Sequence, residues 1–327
     1  MTTRRHFLQS SAGAAAALAL PAWSKNDWPS GPITLVDPFP AGGSTDYFSR
    51  LLADRLGPLL GTQVIVDNKP GAGGVVGATY LSKAKADGYT IGMASVSTLC
   101  AAPAVQPATT VRYNPARDFT YISKLVTLPS LFVCSNKLPV RDFKELLALA
   151  RSKPNRVSLG VPGLGSAGHV LSEYLMKLAD VRFLLVPYKS GGTMITDAIS
   201  GQLDLVSTNL PELLPHVQAG SVRPLAVRDN RRVASLPDVP TFKELGLADV
   251  SAPLWFGLVA PPGLPEPIAA KIRAATHKAL IDRTFVDKTL AVSGSISPST
   301  GPEFQADAAA LLAKLQQVVK SAGIKPD

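Results

Sequence analysis

Short apolar runs alternate along this chain with segments of helical spacing, and this alternation restricts the fold more than any other feature. The runs that predict strands lie at residues 33–37, 63–68, 89–94, 130–135, 156–161, 182–188, 203–208, 223–228 and 254–260. Between the first two runs, Phe48, Leu51, Leu52, Leu56 and Leu59 would share one face of a helix. Successive strand–helix units predict an α/β fold whose parallel sheets are covered on both sides by helices.

Two extended segments divide the series into two lobes. Residues 118–136 and 252–263 have strand-like composition without an intervening helix, so each would cross from one lobe to the other. We predict a two-lobe fold in which each lobe is a mostly parallel sheet flanked by helices, joined by two crossing hinge strands. Helices expected at residues 266–281 and 302–323 would pack on the first lobe. The predicted divisions are residues 1–24 for an export signal, 28–126 plus 252–327 for lobe 1, and 127–251 for lobe 2.

The first residues have the layout of a twin-arginine export signal. Arg4 and Arg5 precede a short apolar stretch at residues 12–20, and small residues follow, with cleavage expected after Ala22 or Ser24. The apolar stretch is shorter than the roughly 20 residues that a spanning helix needs. These features predict export through the Tat pathway to a bacterial periplasm.

Charge and cysteine content exclude several classes of function. The formal net charge is +9, but the basic residues are scattered, so nucleic-acid binding is not expected. Cys100 and Cys134 are too few for a disulfide framework. We expect buried free thiols and keep a bridge between the two as the alternative. The sequence shows no Cys/His cluster for a metal, and we expect no cofactor.

A glycine-rich loop, PFPAGGSTD at residues 38–46, follows the first predicted strand and opens a helix. Bare backbone at the carboxyl end of a strand, next to a helix N-terminus, suits an oxyanion. Thr45 or Asp46 would cap the helix. No lysine follows Gly43, so the loop is not a nucleotide P-loop. The alternative is a tight turn without a ligand.

A second loop of this kind, SLGVPGLGSAGHV at residues 158–170, lies in the other lobe, with Ser166 as a natural helix cap. Two such loops, one from each lobe, would grip the two ends of a dicarboxylate or one carboxylate from both sides. Ser166 and His169 also suggest a hydrolase. A nucleophile elbow, however, needs glycine two residues before the serine, where this chain has Leu164.

Three further strand ends carry polar residues. In the first lobe, Ser95 and Ser97 follow the strand at 89–94. In the second lobe, Tyr188 and Lys189 lie at the end of the strand at 182–188, and Thr208 and Asn209 lie at the end of the strand at 203–208. Each set would contact a ligand, or would only cap a helix or face solvent.

Together these residues resemble the substrate-binding receptors of tripartite tricarboxylate transporters, also called Bug-type periplasmic binding proteins. The resemblance covers nearly the whole mature chain. It implies a two-lobe fold of the type II periplasmic binding class, without catalysis or a cofactor. The stretches that carry it are PFPAGGSTD, NKPGAGGVVGA, ADGYTIGMAS, YNPARDFTYIS, GSAGHV, VPYKSGG, TDAISGQLDL, LPHVQAGSVRPLAV, LPDVPTFKELG and WFGLVAPPG.

The resemblance also implies a set of ligand contacts around a small organic carboxylate. Many members have an acid where this chain has Thr208, and its absence favours a ligand without a cationic end. No arginine clamp is evident in the sequence. The expected contacts are Phe39, Ala41, Gly42, Gly43, Ser44, Thr45, Asp46, Ser95, Ser97, Gly165, Ser166, Ala167, His169, Tyr188, Lys189, Thr208 and Asn209.

The function expected on this basis is that of a periplasmic receptor for a di- or tricarboxylate or an aromatic acid. It would be a monomer that delivers the ligand to the membrane permease subunits of a tripartite tricarboxylate transporter, with a sensor kinase as a possible second partner. Two alternatives stay open. One is an exported α/β hydrolase that uses Ser166, and the other is a module that binds phosphorylated or nucleotide ligands.

Overall fold

The computed structural model describes residues 28–251 and 254–324, and these residues form two α/β lobes. The export signal predicted at residues 1–24 lies outside the described residues. In chain order the elements are β1 (Ile33–Asp37), α1 (Ser44–Leu60), β2 (Val64–Asn68), α2 (Val75–Ser82), β3 (Thr90–Ser95), α3 (Ala102–Val105), β4 (Thr120–Leu128), β5 (Ser130–Ser135), α4 (Phe143–Ser152), β6 (Ser158–Val161), α5 (Ala167–Ala179), β7 (Leu184–Pro187), α6 (Gly191–Ser200), β8 (Leu205–Asn209), α7 (Leu210–Gln218), β9 (Val222–Arg228), β10 (Leu254–Ala260), α8 (Glu266–Leu280), α9 (Arg283–Ala291), β11 (Ser295–Ile296) and α10 (Gly301–Ala322).

Lobe 1 contains a six-stranded sheet in the order β11-β4-β10-β3-β1-β2. β1 runs parallel to β2 and β3, whereas β10 runs antiparallel to β3 and β4. α1 and α8 pack on each other beside this sheet. Phe48, Leu52 and Leu56 of the predicted apolar face are fully buried, but Leu59, in the last turn of α1, is 43% exposed.

Lobe 2 contains a five-stranded sheet in the order β7-β6-β8-β5-β9. β6 runs parallel to β7 and β8, and β5 runs antiparallel to β8 and β9. An aromatic cluster of Phe132, Phe143 and Phe242 lies in its core with ring centroids 5.3–6.0 Å apart. The core therefore holds β5, α4 and the segment after β9 together.

The chain crosses between the lobes twice, and both sheets are mixed as a result. β4 belongs to the first sheet and β5 to the second, with only Pro129 between them. The return crossing joins β9 to β10. The strand by which the chain enters each lobe is antiparallel to both of its neighbours: β5 to β8 and β9, and β10 to β3 and β4. The sheets therefore contain more antiparallel pairings than the mostly parallel sheets expected from the sequence. The predicted boundary at residue 126 falls inside β4.

α10 contacts both lobes, because it packs against β4 and α3 of lobe 1 and against α5 of lobe 2. Cys100 and Cys134 are free and buried in separate apolar clusters, as expected, and burial raises the pKa of both thiols. Within residues 28–251 and 254–324, no helix has the length and hydropathy needed to cross a membrane.

Candidate ligand-binding site

A cavity of about 370 Å³ lies between the two lobes. Lobe 1 contributes the loop after β1, the end of β3 and the start of β10. Lobe 2 contributes the ends of β8 and β9, the start of β5 and the first turns of α6 and α7. The lining residues are Phe39–Thr45, Ser95, Val96, Ser97, Ser130, Pro162, Gly168, Lys189–Gly192, Ile195, Ser207, Thr208, Asn209, Glu212, His216, Arg228, Leu254, Trp255 and Phe256.

The loop after β1 is held in place by the carboxylate of Asp46. Its oxygens accept hydrogen bonds from the backbone N–H of Gly42 at 3.0 Å, from Arg50 Nε at 2.9 Å and from Asn68 Nδ2 at 2.9 Å. Gly42 has φ 86°, a conformation that favours glycine. Burial alone would raise the pKa of Asp46, but these three hydrogen bonds together hold it below its ordinary value. Asp46 therefore shapes the loop from behind and does not line the cavity.

Asp37, the last residue of β1, is a second acid beneath the loop. It accepts from the N–H of Phe39 at 2.8 Å and from Ser49 Oγ at 2.7 Å. Burial raises its pKa from 3.8 to about 7, against the lowering effect of these two hydrogen bonds. Because its side chain is fully buried, Asp37 supports the loop and has no access to the cavity.

The N-terminus of α1 is occupied by a carboxylate of the chain itself, that of Glu212 in α7. Glu212 Oε1 accepts from the N–H of Ser44 at 3.0 Å and from Ser44 Oγ at 2.6 Å. Its Oε2 accepts from Thr208 Oγ1 at 3.0 Å. Ser44 is in lobe 1 and Glu212 in lobe 2, so these bonds join the lobes. Glu212 thus places a carboxylate next to Thr208, where an acid is missing from the sequence. The absence of an acid at position 208 is therefore weaker evidence against a ligand with a cationic end.

The second glycine-rich loop does not face the cavity as expected; it packs against lobe 1. The N–H of Ala167 donates to Ser97 Oγ at 3.0 Å, and Gln106 Nε2 donates to the carbonyl of Leu164 at 2.9 Å. Of residues 158–170, only Pro162 and Gly168 line the cavity. The loop therefore closes one side of the cleft. This structure shows the lobes in contact, here and at Glu212.

Ser166 and His169 serve the fold at this place. Ser166 Oγ accepts from the N–H of His169 at 3.2 Å, which caps α5, and the N–H of Gly165 donates to His169 Nδ1 at 3.3 Å. Both side chains are buried, at 0% and 4% exposure. The hydroxyl required by the hydrolase alternative is therefore a helix cap without access to the cavity.

The structure brings together at the cavity most of the residues selected from the sequence. Tyr188, which does not line it, donates through its hydroxyl to Asp197 Oδ2 at 2.7 Å, and burial raises its pKa to about 12. The candidates outside the cavity are Asp46, Gly165, Ser166, Ala167, His169 and Tyr188. Those that line it are Phe39, Ala41, Gly42, Gly43, Ser44, Thr45, Ser95, Ser97, Lys189, Thr208 and Asn209.

Sequence reasoning missed Arg228, the last residue of β9. It lines the cavity although its side chain is only 1% exposed, and its guanidinium lies over the ring of Phe242 at 5.5 Å. Burial lowers its pKa to about 10, so it stays protonated at neutral pH. The signal was available, because the strand-like run at 223–228 ends at this arginine. Within the described part of the chain, no group of acids, histidines and cysteines has a geometry that would hold a metal ion.

Two lobes joined by two crossing strands around a polar cleft define this protein as a periplasmic binding protein of the two-lobe class. The family model of the tripartite tricarboxylate transporter family receptor matches residues 48–320, and a model of the twin-arginine translocation signal sequence matches residues 1–21. The chain belongs to the tripartite tricarboxylate transporter receptor family. It is a periplasmic solute receptor exported by the Tat pathway, and not an enzyme.

Members of this family are similar to the chain both in sequence and in structure. "Protein BugT" of Bordetella pertussis is 31% identical over 313 residues, which are 95% of each chain. The solved structure of R. palustris Rpa4515 with adipate has a TM-score of 0.86 at 32% identity, covering 92% of this chain and 100% of that one. MatC from Rhodopseudomonas palustris with bound malate has a TM-score of 0.84 at 28% identity, covering 89% of this chain and 100% of that one.

Proposed function

We propose that this receptor captures a small organic carboxylate between its lobes and delivers it to the membrane permease subunits of a tripartite tricarboxylate transporter. The observation that carries the proposal is the cleft itself: a cavity of about 370 Å³ lined by both lobes, which suits a small organic molecule. The proposed contacts are the sequence candidates that line it.

The charges around the cleft support an anionic ligand. Lys189 and Arg228 line it, and Glu212 is the acid among the described lining residues. Three hydrogen bonds from neutral donors already engage Glu212, and the N-terminal turn of α1 adds its dipole. The basic side chains that line the cleft therefore outnumber the acidic ones, and the carboxylate of a ligand would balance the excess positive charge. The structures of relatives with adipate and with malate agree with this ligand class.

Capture would follow the opening and closing of the lobes about the two crossing strands. The ligand binds while the cleft is open, and its added contacts with the opposite lobe favour the closed state. The closed receptor is then the form that a permease would recognise. A sensor kinase as second partner and a monomeric state stay predictions.

A thermal-shift screen of the mature protein tests the ligand class. The panel contains malate, adipate, aromatic acids, amino acids and inorganic phosphate. A true ligand at a hundredfold excess over its Kd stabilises the protein by about 2.7 kcal/mol. We expect stabilisation by at least one organic acid. Stabilisation by phosphate and by no carboxylate would instead support the module for phosphorylated ligands.

A further inference from the structure

One wall of the cleft contains a row of polar side chains across three neighbouring strands. Ser130 of β5 is paired with Asn209 of β8 on one side and with Arg228 of β9 on the other. Directly paired residues of adjacent strands lie about 4.5–5.5 Å apart and point to the same face of the sheet. All three line the cleft. The row is therefore a compact polar surface built into the sheet of lobe 2.

This row has buried polar atoms without hydrogen-bond partners. They are Ser130 Oγ, Asn209 Oδ1, and Nε and Nη2 of Arg228. Ser130 is 2% exposed and Arg228 is 1% exposed. Among residues 28–251 and 254–324, no carboxylate forms an ion pair with Arg228. A buried guanidinium without an anionic partner is costly for a protein to keep, so this arrangement requires an explanation.

The only acid that lines the cleft among the described residues does not provide that partner. Glu212 directs both carboxylate oxygens elsewhere, to Ser44 and to Thr208. The arginine itself is fixed. Its guanidinium stacks on Phe242, and the backbone N–H of Phe242 donates to the carbonyl of Val227 at 3.0 Å. Arg228 is thus held in place with its donors unused.

We propose that Arg228, Ser130 and Asn209 form an anion subsite that receives a carboxylate of the ligand, and that Arg228 determines the preference for ligands with two carboxylates. The inference rests on the proposed function and adds the place and the partner of one charged end. A guanidinium fork matches a carboxylate with two parallel hydrogen bonds, and the Ser130 hydroxyl donates a third. Asn209 would donate to the same carboxylate through its amide nitrogen, which requires its amide group to turn by half a turn from the orientation seen here.

The test uses calorimetry on the mature protein with two matched pairs of acids. Adipate is compared with hexanoate, and malate with 2-hydroxybutyrate; in each pair one carboxylate is replaced by a methyl group. We expect wild type to bind at least one diacid, and to bind its methyl-ended analogue at least about 100-fold more weakly, as the loss of two charge-assisted hydrogen bonds requires. Arg228→Gln should bind both members of that pair with similar, weak affinity.

Three variants serve as comparisons. Arg228→Lys keeps the charge but not the fork, so its affinity should lie between those of wild type and Arg228→Gln. Lys189→Gln removes a cation at an exposed place on the cleft and should weaken binding less than tenfold. Arg156→Gln, exposed and remote from the cleft lining, should bind like wild type. Because no described acid pairs with Arg228, Arg228→Gln should fold with a melting temperature at or above that of wild type.

The outcomes separate this inference from the proposed function. Equal affinity of wild type and Arg228→Gln for a diacid would overturn the subsite and leave the carboxylate receptor intact. Equal affinity of wild type for a diacid and its methyl-ended analogue would overturn the preference assigned to Arg228. If wild type binds none of the four acids and no other organic acid of the screen, the proposed function fails, and the subsite fails with it.

Discussion

Replacing Glu212 with alanine should open the ligand-free receptor. Two of its three hydrogen bonds, both to Ser44, join lobe 2 to lobe 1 and would be broken when the lobes separate. A hydrogen bond to a charged group contributes about 1.5–3 kcal/mol. Because Glu212 is only half-buried, we take about 1.5–3 kcal/mol for the pair together. The ratio of open to closed molecules should therefore rise about ten- to a hundredfold.

Two glycines provide a matched test of the same contact. A Cβ at Gly191 would lie 2.3 Å from Glu212 Oε2, so Gly191→Ala should push the carboxylate away from Ser44. A Cβ at Gly192 would meet nothing within 4 Å, so Gly192→Ala should behave like wild type. Both positions lie in the first turn of α6, and the change in helix propensity is the same.

The assay is FRET between dyes on the two lobes of the ligand-free protein. Asp54→Cys in α1 and Lys144→Cys in α4 place the dyes at exposed positions, and the two native thiols are buried and should not react. Small-angle scattering of the unlabelled variants gives an independent measure of opening. The reasoning would be refuted if Glu212→Ala gave the wild-type distance distribution, or if the two alanine variants in α6 gave the same distribution.

Two further outcomes follow from buried groups. In the native state Asp37 keeps its proton up to about pH 7, whereas in the unfolded chain it releases the proton near pH 3.8. The free energy of unfolding should therefore fall as pH rises between these values, by about 4 kcal/mol in all. Asp37→Asn should lack this fall, which denaturant titrations of both proteins at pH 4.5 and 7.5 would measure. If the free energy of unfolding changed equally with pH in both proteins, Asp37 would not be its cause. Cys100 and Cys134 should resist a thiol reagent in buffer and react fully in denaturant; rapid labelling of the native protein would contradict their burial.

The backbone of the fold was largely predictable from local sequence pattern. β1, β5 and β10 coincide with their predicted runs, because their apolar residues are bounded by clear polar or proline signals. Whether neighbouring strands pair in parallel or antiparallel was harder to predict from the sequence. The pairing directions depend on how strands from distant parts of the chain meet at the crossings, and no short stretch of sequence encodes that meeting.

The site was predictable where a loop lies on the strand that forms it, as at residues 38–46. The site was not predictable where a contact joins residues of one lobe to residues of the other, because the sequence does not show how the two lobes are placed against each other. Ser166 and His169 fit a ligand-binding pattern in the sequence, but their loop contacts Ser97 and Gln106 of lobe 1 instead. Glu212 was overlooked because nothing next to it in the sequence shows that the fold brings it to the cleft. Arg228 ends a strand-like run, so the argument from strand ends that selected Ser95 and Asn209 could have selected it as well.

The single residue between β4 and β5 has a consequence for the order of events during capture. Pro129 is where the outgoing chain changes lobe, and Ser130 follows it directly. In a rotation, points near the axis travel least. The wall that contains Ser130 should therefore keep its shape as the far rims of the cleft swing apart, and an arriving acid would meet this stationary wall first and the moving rim afterwards.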